Sequence, residues 1–511
     1  MSSSILKTLS VGISLARELS WPEIGIIASV LVASVPVAQF VYNVWFHPLA
    51  GFPGPILYAG SNLPKIIQQL RGSITYKAHE LHEIYGPVVR ISPGELSYIS
   101  AQAWKDICAG SKGKEPMPLN PIYGQHEVES FGTLSMLWQV SHVEHARQRR
   151  IMAPVFSDKS LMEQEPIITK YAALLMQRMR ENAGKTVNLC SWFNYTTFDI
   201  IGDLTFGEPF DCLQESRLHP WISFVFSRLS LMLYSQIIAT MGTLGAAVKL
   251  MIPSHIKHDF VKHVAFTKDK VDRRRQREMN RSDFMTHILE HTEKENGMSL
   301  SELYANSQIL VMAGSETSAT LLGVTAYHLM TNPDKLRKLA EEVRSAFSSE
   351  DEITFSSIPK LPYLIAVINE SLRIHPPVPA GIHRFVPKGG AFIDGRYVPE
   401  GADVYITQWA AFHSKDNFAD PYLFVPERWL GDERYADDNR EVFQPFSLGP
   451  RNCIGRSLAY MESRLVIARM VWNFDLHLMP ESENWLPQKT IVLYEKKPLY
   501  ARLSTVHHPS V

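Results

Sequence analysis

Phe446-Ser-Leu-Gly449-Pro-Arg451-Asn-Cys453-Ile-Gly455 is the stretch on which the reading of this chain turns. Phe446, Gly449, Arg451, Cys453 and Gly455 form a spaced set within ten residues. With each residue type near one in twenty, a chance match in a chain this long is on the order of one in ten thousand. Gly449 and Gly455 let the backbone turn tightly and approach a flat macrocycle where a side chain would collide. The stretch from Ser457 to Arg464 reads as a helix, which would place free N–H groups and the positive end of its dipole near the Cys453 sulfur and favour a thiolate. Arg451 can meet an anionic group through charge-assisted hydrogen bonds, and Phe446 would pack on the sulfur side and limit water. A single cysteine is ordinarily an inert buried thiol; this spacing reverses that reading. A thiolate on iron pushes electron density onto the metal and assists O–O cleavage, more than a histidine ligand does.

Working outward, 511 residues with 45% hydrophobic content suit one large domain with a sizeable core. The charges nearly cancel, 51 basic against 52 acidic, so no global field argues for nucleic acid. The four cysteines, Cys108, Cys190, Cys212 and Cys453, form neither a disulfide scaffold nor a zinc module and point to a reducing compartment. The sequons at Asn194 and Asn280 then stay unmodified. From Ile24 to Phe46, 23 residues pass without Asp, Glu, Lys or Arg, long enough for a membrane helix flanked by Trp21, Tyr42 and Trp45, with a kink at Pro36. Flanking charge does not decide its topology. The organisation expected is a short segment at 1–23, an anchor at 24–46, an extended Pro/Gly connector at 47–55, and a catalytic domain at 56–511.

Within that domain, Ser299-Leu-Ser-Glu302 is a capping box, and no proline follows until Pro333, which implies a helix of roughly thirty residues crossing the core. Midway along it, Ala313-Gly314-Ser-Glu316-Thr317-Ser318 combines a glycine that leaves room for a ligand, a hydroxyl able to turn toward a cavity, and an ionisable side chain. Leu364, Ile368 and Leu372 repeat every four residues up to Pro376-Pro377, marking a helix that carries Glu370 and Arg373 on one face. Residues 389–398 read as a hairpin. The uncharged stretch from Leu229 to Val248 suits core helices or a membrane-dipping segment equally, and Arg273-Arg-Arg-Gln-Arg277 suits a solvated helix face. His145 and Arg149 share a helical face in a basic segment.

The cysteine segment resembles the ligand loop of the cytochrome P450 family, and the likeness covers nearly everything beyond residue 47. His47-Pro-Leu, Phe52-Pro-Gly-Pro55 and Val88-Val-Arg-Ile-Ser-Pro-Gly-Glu-Leu-Ser97 particularly resemble fungal microsomal members. The resemblance implies a mainly α fold with small β-sheets, preceded by one transmembrane helix. It implies haem b with Cys453 as axial thiolate, and it makes Thr317 and Glu316 candidates for proton delivery, beside Ala313 and Gly314 at the cofactor. His145, Arg149, Arg384 and Arg451 become candidate propionate partners, although many members carry tryptophan where this chain has His145. Glu370 and Arg373 resemble the family's ExxR pair, joined by Arg428 of Pro426-Glu-Arg428-Trp429 in a structural role. The distal pocket would draw on Met117 to Met136, Val378 to Ile382 and Trp485 to Leu493.

The activity implied is oxidation of a lipophilic small molecule with O2 and electrons from a membrane-bound NADPH-cytochrome P450 reductase, with cytochrome b5 as a further candidate donor. The setting would be fungal secondary metabolism on a polyketide, terpenoid or alkaloid, at the endoplasmic reticulum membrane with the catalytic domain cytosolic. Two rivals stay open: a reductase-independent P450 isomerase or dehydratase, disfavoured by Thr317, and a non-catalytic haem-binding protein.

Overall fold

The computed structural model describes residues 20–110, 115–219, 221, 234, 236–238, 245, 254–277, 281, 283–292 and 294–508. Helices dominate. Nine strands occur among these residues: β1 (Val88–Ser92), β2 (Glu95–Tyr98), β3 (Thr186–Asn188), β4 (Arg384–Phe385), β5 (Ala391–Ile393), β6 (Arg396–Val398), β7 (Asp403–Ile406), β8 (Phe474–Leu478) and β9 (Tyr500–Thr505). They form a four-stranded sheet in the order β1-β2-β7-β4, a three-stranded sheet β3-β9-β8, and the expected hairpin β5-β6. β7 runs parallel to β2 and antiparallel to β4, with Arg384 opposite Val404 and Phe385 opposite Asp403.

The long helix spans Leu300–Thr331. Its capping box is reciprocal: the Glu302 N–H donates to Ser299 Oγ (3.3 Å) and the Ser299 N–H donates to Glu302 Oε2 (2.9 Å), satisfying two otherwise orphan donors. It ends before Pro333, which begins the next helix. Among the described residues this is the helix whose length and hydropathy would suffice to cross a membrane, yet it lies inside the protein. From Glu302 to Met330 every residue is buried except Met312, Ala313, Gly314 and Thr317, so a core helix of about eight turns opens onto a cavity at one place.

The uncharged N-terminal stretch is helical from Trp21 to Val41 and passes through Pro36 before a π-helical turn at Tyr42–Phe46. Ile26, Val30, Val35 and Val37 on it are exposed. The segment after it does not form the extended connector expected. It turns twice, with Ala50 N–H on the His47 carbonyl (2.8 Å) and Phe52 N–H on the Leu49 carbonyl (3.0 Å). Leu49 and Phe52 are buried in the cluster that includes Leu96, Val398 and Val404. Prolines and glycines exclude helix and strand there but permit turns, and burying two large apolar side chains decides between turn and extended chain. The arginine run departs from a purely solvated face too. Arg274 is buried and pairs with Asp283 (3.0 Å), while Arg273 and Arg277 reach Glu208. The stretch from Leu229 to Val248 lies almost wholly outside the described residues, as does Asn280.

Glu370 and Arg373 sit on the helix Pro362–Ile374, whose inner face carries Leu364, Ile368 and Leu372. The carboxylate receives Arg373 Nη2 (2.8 Å), Arg428 Nε (3.1 Å), Trp429 Nε1 (2.9 Å) and the Val425 N–H (3.0 Å). Arg373 Nη1 and Nη2 also donate to the carbonyls of Phe412, Pro421 and Leu423. Burial would raise Glu370, but both arginines and the Val425 N–H outweigh it and hold the carboxyl below its ordinary range. Removing one member strands a buried charge. Glu370→Ala is therefore expected to cost about 3–5 kcal/mol of stability, read as a lowered urea midpoint, and an unchanged midpoint would contradict this account.

Candidate active site

In the cysteine loop, Gly449 adopts φ +80°, and a Cβ there would collide with the Cys108 carbonyl. The loop closes through the Asn452 N–H on the Gly449 carbonyl (3.0 Å) and the Cys453 N–H on the Phe446 carbonyl (2.8 Å). Gly455 caps the helix Arg456–Asn473. The Phe446 ring packs on Tyr460 with centroids 5.0 Å apart. Three of the four cysteines are buried; Cys453 alone is exposed, because its sulfur opens into a cavity rather than to the outer surface. Surrounding protein pushes its thiol up, while the Gly455 N–H, Arg149 and Arg456 pull it down.

The cavity, about 360 Å³, lies between Cys453 and the opening in the long helix. Thr317 lines it and donates its hydroxyl to the Ala313 carbonyl (2.7 Å) one turn back. Ala313 and Gly314 line the cavity as expected, and Gly314 answers a second constraint as well. A Cβ there would come within 2.8 Å of Ile201 Cδ1 on the helix Leu189–Phe206, so the glycine permits close helix packing. Glu316 departs from expectation. It is buried outside the cavity lining and bound to Lys496 Nζ (2.7 Å), which in turn donates to Asn194 Oδ1 (3.0 Å). Neighbouring helical residues point about 100° apart, so presenting Thr317 to the cavity turns Glu316 toward the next layer of protein. The same contact buries the Asn194 sequon.

The cytochrome P450 family model matches residues 52–502. The chain belongs to the cytochrome P450 family. It is 41% identical over 492 residues to the cytochrome P450 monooxygenase efuB of Hormonema carpetanum, covering 94% of this chain and 96% of that protein. It is 40% identical to the cytochrome P450 monooxygenase astA of Talaromyces wortmannii over 477 residues, 93% and 95% of the two chains. With the averantin hydroxylase of Dothistroma septosporum it shares 41% identity over 469 residues, 90% and 88% of the two chains. The chain is thus a member of a family of haem-thiolate monooxygenases.

The residues present in this P450 fit a haem. Arg384 is 1% exposed, yet its Nε and Nη1 have no hydrogen-bond partner, and Arg451 Nε is likewise buried and unpartnered. Neither arginine has an ion-pair partner among the described residues, and both line the cavity beside Cys453. Buried guanidinium groups left this way are expected to meet anionic oxygens of a ligand, as two propionates would supply. His145 lines the same wall. Burial, then Arg451, Arg149 and Arg384, lower it to about 3, so it is a neutral donor. Arg149 lines the cavity too, and its Nη1 donates to the Asn452 carbonyl (2.7 Å) and Nη2 to Asn452 Oδ1 (2.6 Å), so it also braces the residue before Cys453. Of the distal segments, Tyr123, Met136, Val378, Ile382, Val492 and Leu493 line the cavity. Trp485 packs instead in the core against Tyr327.

Glu462 has no counterpart in the sequence reading. It is fully buried on the cysteine helix, and Ser318 of the long helix donates to its Oε2 (3.3 Å) while Oε1 is unpartnered. Its spacing from Leu458, Leu465 and Val466 puts it on a buried apolar stripe, which is the signal that could have found it. Burial raises its pKa from 4.5 to about 8, against the Ser318 hydrogen bond. Between those values the folded protein holds a proton that the unfolded chain releases, so stability falls as pH rises through this window. Glu462→Gln is expected to flatten the decline of unfolding midpoint between about pH 5 and about pH 8. An equally steep decline in the variant would place the titration elsewhere.

Proposed function

We propose that this protein is a membrane-anchored P450 monooxygenase that hydroxylates a lipophilic small molecule of fungal secondary metabolism, a polyketide, terpenoid or alkaloid. The observation that carries the reading is the pairing of a cavity-facing Cys453 with Arg384, whose buried Nε and Nη1 lack a partner, and Arg451, whose Nε does, in the same cavity lining. The predominance of apolar residues around the cavity supports a lipophilic substrate, and the relative named as averantin hydroxylase supports hydroxylation.

Haem iron held by a thiolate supplies, when bound, the activation of O2 and the insertion of one oxygen atom into substrate. Cys453 would supply the thiolate that holds the iron. Arg384, Arg451 and His145 would hold the propionates, and Arg149 fixes the loop through Asn452. Thr317 sits at the cavity edge of the long helix, where its hydroxyl can exchange the Ala313 carbonyl for the reacting oxygen and pass a proton. Glu316, locked to Lys496, would reach Thr317 only by releasing that partner. Electrons would come from an NADPH-cytochrome P450 reductase, with cytochrome b5 as a further donor. The exposed apolar side chains of Trp21–Val41, within the uncharged run 24–46, support an anchor in the endoplasmic reticulum membrane with the catalytic domain cytosolic.

The test is the reduced, carbon-monoxide-bound spectrum together with turnover in the presence of reductase. Cys453→Ala is expected to lose the red-shifted thiolate band. Thr317→Ala should keep the band and lower product formed per NADPH oxidised by about tenfold or more. A red-shifted band surviving in Cys453→Ala would overturn the ligand assignment. Removal of residues 1–46 should shift the protein out of the membrane fraction, and full retention there would refute the anchor.

A further inference from the structure

We propose that His287, Glu290 and His291 form a binding site for a divalent transition-metal ion, with zinc as the ion whose ligand preferences they fit. None of the three lines the cavity beside Cys453, so the site stands apart from the oxidation chemistry.

The helix Phe284–Leu289 buries Phe284, Met285 and Ile288, and the Phe284 ring rests on Phe156 with centroids 4.6 Å apart. That packing fixes the backbone and turns the opposite side outward. Residues three and four apart on a helix are neighbours, so His287 meets both Glu290 and His291 where the helix gives way to a turn. One donor atom from each of the three lies within 4.8 Å of the others. Points so spaced share a centre no more than about 2.8 Å from each, and zinc bonds to nitrogen and oxygen run about 2.0–2.2 Å, so a small side-chain rotation closes the set. The histidines are half-buried, while Glu290 is exposed and free to make that rotation.

The donors are also uncommitted. Among the described residues, neither the His287 ring nor the Glu290 carboxylate makes a hydrogen bond or an ion pair. His291 Nδ1 lies 3.0 Å from the His287 carbonyl, which can only accept, so Nδ1 carries a hydrogen and Nε2 is the nitrogen left for a metal. A backbone carbonyl on the far nitrogen is a common way of orienting a ligating imidazole. Burial, then His291, lowers the His287 pKa, which reduces the proton competition that a metal must overcome. Two imidazoles and one carboxylate suit zinc, whereas magnesium prefers an all-oxygen shell. A fourth position is left to water.

The His291 carbonyl accepts the Met298 N–H (3.0 Å), and the Gly297 carbonyl accepts Arg147 of the helix His142–Met152. Met298 immediately precedes Ser299, the cap of the long helix. A metal joining His287 to His291 therefore staples the helix Phe284–Leu289 to the turn that leads into the long helix. Binding to the folded chain alone raises its stability as the zinc concentration rises.

Equilibrium dialysis of the haem-loaded, full-length protein against zinc chloride, with any polyhistidine tag removed, tests the assignment. At equal free zinc the parent is expected to hold one more ion per chain than His287→Ala or His291→Ala. Each of these variants, and Glu290→Gln, should bind at this site at least about tenfold more weakly. Zinc should raise the thermal unfolding midpoint of the parent and not those of the histidine variants, and magnesium at the same concentration should raise neither. An unchanged far-ultraviolet circular dichroism spectrum shows that a variant has folded, and Glu290→Gln, at an exposed position, decides the matter if a histidine variant has not. Equal zinc uptake by the parent and the folded variants, or displacement of the zinc by an equal concentration of magnesium, would overturn the proposal.

Discussion

A fully buried carboxylate that must keep its charge constrains this molecule more than any other group. Glu370 collects two arginines, an indole N–H and a backbone N–H, and Arg373 spends its remaining donors on three carbonyls of the segment from Phe412 to Leu423. Buried ion pairs add little stability relative to well-packed apolar groups, but a broken one is expensive, so the cluster enforces geometry. It joins the helix Pro362–Ile374 to the short helical turn Pro426–Leu430 through Arg428, and the chain runs on from that turn to the loop of Cys453. An exposed thiol on the floor of an internal cavity requires a backbone that cannot collapse into that cavity, and the second brace, Arg149 on Asn452, acts on the loop itself.

The carboxylates around the long helix illustrate how environment sorts one functional group into different states. Glu316 is buried with a lysine held against it, and Glu462 is buried with only a serine hydroxyl. An opposite charge lies against the first, whereas burial pushes the second toward its neutral form. They flank Thr317 in sequence and space without sharing its cavity face: Glu316 is one residue before it, and Glu462 meets Ser318, one residue after. The hydroxyls of Thr317 and Ser318 are thus the polar groups that the long helix itself presents at its opening.

Much of this was legible in the chain because it depends on local rules. The reciprocal Ser299 and Glu302 cap, the stop at Pro333, the four-residue stripe through Leu364 and Leu372, and the turn-prone hairpin all follow from interactions within a few residues. Departures occur where a partner far along the chain decides. Glu316 was placed by motif at the cavity, but Lys496, 180 residues later, holds it away. Arg149 reads as a free cation until Asn452, 303 residues on, takes both its terminal nitrogens. Gly314 lines the cavity as its motif suggests, but its close approach to Ile201 on a helix more than a hundred residues earlier has no local signal. The turns at 47–55 form because Leu49 and Phe52 find a core, which prolines and glycines alone do not reveal.

His383, just before β4, and Arg384, its first residue, show how an extended segment sends neighbouring side chains to different partners. Pairing with β7 sets the register, and the pleat sends the adjacent side chains apart. On one side Arg384 has unsatisfied donors and no carboxylate, an environment suited to an anionic cofactor edge. On the other, Asp403 Oδ1 orients His383 through Nδ1 (3.0 Å). Had Asp403 faced Arg384 instead, their ion pair would have neutralised the cation and left the imidazole without an orienting partner. Strand alternation keeps the acid from the arginine, and so leaves the Arg384 donors to meet an external anion.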